Sequence, residues 1–166
     1  MTGAENAFDG VLAPMEIFDL NEVEYCIPTL AAWHHAEWSH LYPGDTLGKR
    51  IQRMQEYLTM EAVPRTFVGI EDGQPLGSGA IIPNDMETRK DLTPWLASVY
   101  VDEAYRRRGL GAQLVRRVME HARTSGIQDL YLFTPDQAPF YAGLGWQILS
   151  TEEYLGEHVT VMHARL

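Results

Sequence analysis

Residues 99–112 read Val-Tyr-Val-Asp-Glu-Ala-Tyr-Arg-Arg-Arg-Gly-Leu-Gly-Ala. The apolar and β-branched residues before them favour a strand over 95–101, and from Leu110 onward apolar residues recur at helical spacing. Gly109 and Gly111 therefore stand where a strand passes into an amphipathic helix. The first amides of a helix have no internal partners and lie at the positive end of its dipole, so these residues predict an anion-binding turn.

Two common phosphate-binding turns do not fit this stretch. A P-loop requires a lysine followed by serine or threonine, and the turn has no lysine. A dinucleotide fingerprint requires a third glycine where Leu114 stands. The guanidinium groups of Arg106, Arg107 and Arg108 nevertheless add positive charge and directional donors to the turn.

The turn matches the pattern Arg-x-x-Gly-x-Gly/Ala at Arg106, Gly109 and Gly111. In this it resembles the cofactor-binding signature of the GNAT superfamily of acyl-CoA N-acyltransferases. The resemblance implies that the strand before the turn binds pantetheine through its backbone and that the turn amides hold the pyrophosphate of acetyl-CoA. The implied cofactor-binding residues are Val99, Tyr100, Val101, Arg106, Arg107, Arg108, Gly109, Leu110, Gly111 and Ala112.

A second stretch, residues 140–146, reads Phe-Tyr-Ala-Gly-Leu-Gly-Trp and is similar to another landmark of the family, a tyrosine-bearing short helix followed by Leu-Gly-aromatic. An amine that attacks a thioester expels a thiolate whose parent thiol has a pKa of about 8.5, and a phenol can protonate or hydrogen-bond it. We therefore predict Tyr141 as the general acid, with Gln137 as a candidate contact to pantetheine. The alternative is a core tyrosine that packs the helix onto the sheet.

The acceptor amine must lose a proton before it attacks. Several family members carry a glutamate on the strand before the turn, but the corresponding residue here is Trp95. Residues 33–40, Trp-His-His-Ala-Glu-Trp-Ser-His, belong to the helices that border the acceptor pocket in the family. Glu37 and His34 share a helix face and are the candidate bases, although core tryptophans beside surface histidines explain the same segment. The spacing of His34, Glu37 and His40 does not favour a metal, and none is predicted.

The order of elements predicts an α+β, or mixed α/β, fold. The resemblance implies a central, mostly antiparallel sheet of six to seven strands flanked by about four helices. We expect a single domain over residues 1–166, in which 1–9 are disordered, 10–64 form the acceptor side and 65–166 form the cofactor-binding core. Strands are predicted at 14–20, 65–71, 76–82, 95–101, 129–133, 146–149 and 158–164, and helices from Pro28, Leu47, Leu110 and Pro135.

The composition of the chain limits the classes of partner and the cellular compartment that we expect. The net charge of −10 argues against a nucleic-acid partner, because such proteins need a basic face. The single cysteine, Cys26, fits a reducing compartment, and no apolar run approaches the roughly 18 residues of a membrane span. We expect a cytoplasmic protein without a membrane partner, and a candidate homodimer through an exposed closing strand at 158–166.

Together these features predict an N-acetyltransferase that moves an acetyl group from acetyl-CoA to a primary amine by direct attack in a ternary complex. The acceptor is either a small amine or the α-amine of a peptide or protein. Two alternatives stay open: a coenzyme A-binding module without catalysis, and a phosphate or nucleotide binder that only resembles the family.

Overall fold

The computed structural model describes residues 15–166. The predicted disordered segment 1–9 and the predicted strand start at Pro14 lie outside this range. The described chain forms seven strands: β1 (Glu16–Asp19), β2 (Arg65–Glu71), β3 (Gln74–Ile82), β4 (Trp95–Val101), β5 (Asp129–Thr134), β6 (Gln147–Tyr154) and β7 (Glu157–Arg165). Its α-helices are α1 (Ile27–Trp38), α2 (Leu47–Glu56), α3 (Leu110–Thr124) and α4 (Ala138–Ala142).

The strands form one sheet in the order β1-β2-β3-β4-β5-β7-β6. Every neighbouring pair is antiparallel except β4 and β5, which are parallel. A parallel pair needs a crossover connection, and α3 supplies it. The predicted mostly antiparallel sheet with about four helices is confirmed.

Helices cover both faces of the sheet. On one face, Leu30 of α1 and Met54 of α2 pack with Val68 of β2. On the other, Val115 and Val118 of α3 belong to a core cluster that also contains residues of β2, β3, β4 and β5. Because α3 is held against the middle of the sheet, its N-terminus is fixed beside the end of β4.

Two helix starts follow from local chemistry. Thr46 caps α2, with its hydroxyl oxygen accepting a hydrogen bond from Lys49 N at 3.1 Å. Helix α4 begins at Ala138 rather than at Pro135, because Thr134 Oγ1 accepts a bond from Gln137 N at 2.9 Å and holds the preceding residues in a turn.

A strand is present near 158–166, as predicted, but the prediction that it is exposed and can pair across a dimer is wrong. β7 pairs with β5 on one side and β6 on the other, so its backbone is not free to pair across a dimer, and the strands at the sheet edges are β1 and β6. β6 also continues to Tyr154, beyond the predicted end at 149. Leu155 and Gly156 both take left-handed φ values, 53° and 78°, so they close a tight hairpin that prolongs the pairing.

Gly77 is needed for the approach of β3 to β4. A Cβ atom there would lie 2.4 Å from the carbonyl oxygen of Tyr100, which is backbone and cannot move aside. We expect Gly77→Ala to lower the free energy of unfolding by about 2 kcal/mol or more, measured by urea denaturation. Gly48→Ala, on the exposed face of α2 with no close contact, is the matched control and should leave stability unchanged or slightly raised. Equal stability of both variants would contradict this packing.

Candidate functional site

β4 and β5 are joined at only one end. Their pairing consists of Trp95 opposite Tyr131, near the start of both strands, and no further register pair follows. The strands therefore separate toward their carboxyl ends, and Val99, Tyr100 and Val101 lie half-buried beside the resulting gap. Among the described residues, the backbone groups on that side of β4 have no strand partner, so they can pair with an extended ligand.

A β-bulge shapes β4 at the inner end of this gap. Ala97 pairs with Ala80 and Tyr100 pairs with Ser78, so two residues of β4 stand opposite Gly79 alone. Ser98, the first of the two, has a left-handed φ of 53°, which is unusual for a residue other than glycine. The bulge redirects the backbone at Val99.

Two buried side chains hold the bulge. Ser78 Oγ donates a hydrogen bond to the carbonyl oxygen of Ser98 at 2.8 Å, and His34 Nε2 lies 2.9 Å from the same Oγ. Because the hydroxyl proton of Ser78 is donated to Ser98, the Ser78 oxygen must accept a hydrogen bond from His34. The His34 imidazole therefore carries its proton on Nε2. Burial, reinforced by the charge of Arg50, lowers the pKa of His34 to about 3, so its imidazole is neutral.

The turn from Arg106 to Gly109 presents backbone amides at the outer end of the gap. Arg107 and Gly109 have left-handed φ values of 66° and 76°, and Gly109 precedes α3 without any side-chain cap. Within residues 15–166 the first amides of α3 have no hydrogen-bond partner, so they can bind an anion. Arg106 Nε donates to the carbonyl oxygen of Val101 at 2.9 Å, and Arg108 forms an ion pair with Glu71 at 3.3 Å.

Helix α4 closes the other side of the gap. A Cβ atom at Gly111 would lie 3.7 Å from both the Phe140 ring and the Val101 side chain, so the start of α3, the end of β4 and α4 meet at one point. The neighbouring Tyr141 is 9% exposed and packs edge-on against Phe140 and Trp146. Burial raises the pKa of its phenol to about 12, so it stays protonated.

Aromatic rings from α1 surround Tyr100. Trp33 stacks on it with ring centroids 5.6 Å apart, Trp38 meets it edge-on at 6.1 Å, and the Arg106 guanidinium lies 5.3 Å from its ring centre. Trp33 and Trp38, which belong to the predicted acceptor segment, therefore pack against the end of β4 from which the turn begins.

A small cavity of about 50 Å³ lies beneath the bulge, between α1, α2 and the sheet. It is lined by His34, Arg50, Arg53, Met54, Tyr57, Thr66, Ala80 and Ser98. Arg50 is 7% exposed and is paired with Asp45 at 2.6 Å, while its Nε has no partner among the described residues. The cavity lies on the face of the sheet opposite α3. A molecule that enters it would therefore approach β4 from the face that α3 does not cover.

Three residues considered for the site differ in their exposure to solvent. Glu37 is exposed on α1 and Gln137 is exposed at the start of α4. Trp95, at the position of the family's glutamate, is fully buried and donates its Nε1–H to the carbonyl oxygen of Leu92 at 2.7 Å.

Among residues 15–166 no three side chains of the usual ligand types converge as a metal site would require. Within the same range, no helix has the length and apolar character needed to cross a bilayer.

Sequence reasoning missed Ser78, Ser98 and the cavity arginines. Ser78 sits between two glycines in a strand of small residues, and nothing in that pattern marks a hydroxyl that bonds a bulge. Arg50 and Arg53 look like ordinary exposed helix residues. Their place in the cavity lining depends on Asp45, which pairs with both. One carboxylate oxygen of Asp45 lies 2.6 Å from Arg50, and the other lies 3.6 Å from Arg53.

The chain matches one protein family and resembles solved structures in fold. The family model described as acetyltransferase (GNAT) family matches residues 27–146. An aminoglycoside 6'-N-acetyltransferase complexed with coenzyme A superposes with a TM-score of 0.73 at 14% identity, covering 91% of this chain and 97% of that one. Ribosomal-protein-alanine N-acetyltransferase from Brucella melitensis gives 0.70 at 19% identity, covering 91% and 99%. An acetyltransferase from Streptococcus agalactiae gives 0.67 at 19% identity, covering 92% and 99%. These structural likenesses establish the fold.

Proposed function

Because the chain belongs to the GNAT family of acetyltransferases, we propose that it transfers an acetyl group from acetyl-CoA to a primary amine by direct attack in a ternary complex. The observation that carries the proposal is the gap between β4 and β5. Strand backbone along one side of it and helix amides at its mouth have no partner within residues 15–166. One structural neighbour is complexed with coenzyme A, which supports the same co-substrate here.

The gap and the turn suit the two chemical parts of coenzyme A. The pantetheine arm carries amides that can pair with the backbone of Val99, Tyr100 and Val101 as a further strand would. Its pyrophosphate matches the amides of Arg107 to Ala112 at the N-terminus of α3, where the helix dipole favours negative charge. Arg106, Arg107 and Arg108, all exposed, add positive charge around that position.

The bulge at Ser98 is suited to polarise the thioester. We assign to the backbone donors near Val99 the role of an oxyanion hole, which stabilises the charge that develops on the carbonyl oxygen during attack. His34 and Ser78 would then act as positioning residues. Since a group with a pKa of about 3 holds a proton poorly at neutral pH, this role suits His34 better than the predicted role of base.

Tyr141 is proposed to assist the departing thiolate. With a phenol pKa of about 12 against about 8.5 for the thiol, complete proton transfer is uphill by several kcal/mol. A hydrogen bond from the neutral phenol stabilises the thiolate without that cost. Glu37 stays a candidate base on α1, where solvent surrounds it.

Ser78→Ala tests the support of the bulge. The substitution leaves His34 Nε2 and the Ser98 carbonyl without their buried partner, so we expect about a ten-fold lower kcat and a stability loss of about 1–3 kcal/mol. Coenzyme A affinity should change little, because the turn is untouched. Ser78→Thr, which keeps the hydroxyl, should recover part of the rate, and an unchanged kcat in Ser78→Ala would exclude the positioning role.

The overall proposal is tested by two measurements on the wild-type protein. Thiol release from acetyl-CoA is followed with alaninamide, spermidine and kanamycin, and coenzyme A binding is measured by calorimetry against ATP. We expect amine-dependent thiol release and a clear preference for coenzyme A. Coenzyme A binding without turnover on any amine would favour the non-catalytic module instead, and a preference for ATP would favour the nucleotide binder.

A further inference from the structure

The cavity beneath the bulge holds more positive charge than the ion pairs around it neutralise. Its lining includes the guanidinium groups of Arg50 and Arg53 and no carboxylate. Both arginines pair with Asp45, whose carboxylate oxygens lie 2.6 Å from Arg50 and 3.6 Å from Arg53. Within residues 15–166 neither arginine forms another ion pair, so one carboxylate serves two cations and one positive charge is left over.

Arg50 is the more deeply buried of the two arginines. Only 7% of the residue is exposed, and its Nε–H has no acceptor among the described residues. A guanidinium group consists of N–H donors alone, and a buried donor without an acceptor lowers stability. An anion that enters the cavity would supply both the missing acceptor and the missing negative charge.

Helix α2 presents the two arginines together. They lie three positions apart and therefore share a helix face, which also carries the buried Met54. The Asp45 side chain is only 5% exposed, so its pair with Arg50 is a fixed contact rather than a loose one at the surface. The Arg53 side chain is 49% exposed, so it lies where the cavity meets solvent.

The volume of the cavity limits the group that it can hold. A cavity of about 50 Å³ has room for about four water molecules. This space suits a carboxylate with an ammonium group on the neighbouring carbon, and it is far too small for the rings of an aminoglycoside. Thr66 and Tyr57 also line it and bring hydroxyl groups that can hydrogen-bond a polar ligand.

The same cavity reaches the backbone that is proposed to present the thioester. Ser98, the first residue of the bulge, lines it together with the two arginines, and Val99 follows directly in the chain. An acceptor whose carboxylate is held by Arg50 and Arg53 would therefore bring an amine on the neighbouring carbon toward the bulge.

We propose that Arg50 and Arg53 bind the carboxylate of a free amino acid, whose α-amine then attacks the thioester. This inference rests on the proposed acetyl transfer and names the class of its acceptor. The α-ammonium group first releases one proton to solvent, and its nitrogen then forms a bond to the carbonyl carbon of the thioester. The C–S bond breaks and a second nitrogen proton passes to the sulfur, which leaves an N-acetyl amino acid and the thiol of coenzyme A.

The charges of the cavity distinguish this acceptor from the other amines. A polyamine or an aminoglycoside would bring further positive charges against the two arginines, which would repel them. The α-amine of a peptide has a neutral amide where a free amino acid has its carboxylate. Only the free amino acid pairs a single ammonium group with an adjacent negative charge.

The first experiment compares each amino acid with its own α-amide. Thiol release from acetyl-CoA is followed with the proteinogenic amino acids one at a time, and the best of them is compared with the corresponding amide. We expect kcat/KM for the acid to exceed that for the amide by about 50-fold or more. The carboxylate makes the neighbouring ammonium harder to deprotonate, so chemistry alone favours the amide and a preference for the acid reports recognition of the carboxylate.

Arg53→Gln tests the source of this preference. We expect KM for the amino acid to rise about ten-fold or more and the acid-to-amide ratio to fall by a similar factor, with kcat and the Kd for coenzyme A nearly unchanged. Lys49→Gln, which removes the same charge from an exposed position of α2, is the matched control and should keep the wild-type ratio.

Arg50→Lys tests the buried guanidinium. The substitution keeps a positive charge beside Asp45 but removes the planar set of N–H donors, so we expect a folded protein by urea denaturation and a KM for the amino acid raised about ten-fold. Arg53→Gln gives an independent result if Arg50→Lys does not fold, since the Arg53 side chain is half-exposed.

Calorimetry with the coenzyme A complex separates this inference from the proposed function, because binding of the amino acid is then measured without turnover. Binding that needs the carboxylate and Arg53, with no acetylation of any amine, would support the carboxylate site and contradict acetyl transfer. Equal turnover of acid and amide, or faster turnover of spermidine or kanamycin than of any amino acid, would overturn the inference while acetyl transfer stands. An unchanged acid-to-amide ratio in Arg53→Gln, or neither binding nor turnover of any amino acid, would overturn it as well.

Discussion

Gly111→Asp should abolish measurable coenzyme A binding while leaving the fold intact. The new carboxylate would stand in the first turn of α3, where the pyrophosphate is proposed to lie, and would repel it while competing for the same amides. We expect an affinity at least about 100-fold weaker, measured by calorimetry. Stability should be unchanged or slightly higher, because an acidic side chain in the first turn complements the helix dipole.

Gly111→Ala is the matched control for this experiment. Its Cβ atom would meet Phe140 and Val101 at 3.7 Å, an ordinary contact distance, so the methyl group fits. We expect coenzyme A to bind the alanine variant nearly as well as wild type. Retained affinity in the aspartate variant would show that the anion site is elsewhere.

Tyr141→Phe should lower kcat by about 100-fold with little change in the Kd for coenzyme A. The phenyl ring preserves the packing against Phe140 and Trp146, so only the hydroxyl that assists the thiolate is lost. Steady-state thiol release gives kcat, and calorimetry gives the Kd.

Tyr25→Phe is a suitable control for the loss of a tyrosine hydroxyl. Tyr25 is 62% exposed and donates a hydrogen bond to the carbonyl oxygen of Gly73. Both residues lie far along the chain from the turn at 106–112 and from Tyr141. The control variant should leave kcat unchanged. If Tyr141→Phe behaves in the same way, Tyr141 has only a packing role.

Local patterns predicted most of the elements correctly. β2 and β4 were predicted with the bounds that the structure has, since turn residues or a proline delimit them, and Thr46 marks the start of α2 through its side chain. The position of β7 could not be predicted in this way. Alternation along a strand reports which face is buried, but the neighbours of a strand depend on contacts with distant residues.

The cofactor side of the site was more accessible to sequence reasoning than the acceptor side. The turn from Arg106 to Ala112 is contiguous, so its glycines and arginines can be recognised together. The cavity beneath the bulge, by contrast, is lined by residues spread along the chain from His34 to Ser98. These residues form one lining only because the fold brings α1, α2, β2, β3 and β4 together.

His34 is a residue whose helix was predicted correctly but whose role was not. Its neighbourhood in the sequence suggested a titratable group beside an acceptor pocket, and the helical placement is correct. Burial makes its imidazole neutral, and the bond to Ser78, 44 residues away, makes Nε2 the donor. Spacing within one helix cannot report such a partner.

A crystal structure with acetyl-CoA is the most direct test of this account. We expect the pyrophosphate on the amides of residues 107–112, the pantetheine arm between β4 and β5, and the thioester carbonyl within hydrogen-bonding distance of the backbone near Val99. Acetyl-CoA bound outside the gap, or in it with the thioester turned away from the bulge, would contradict the proposed site.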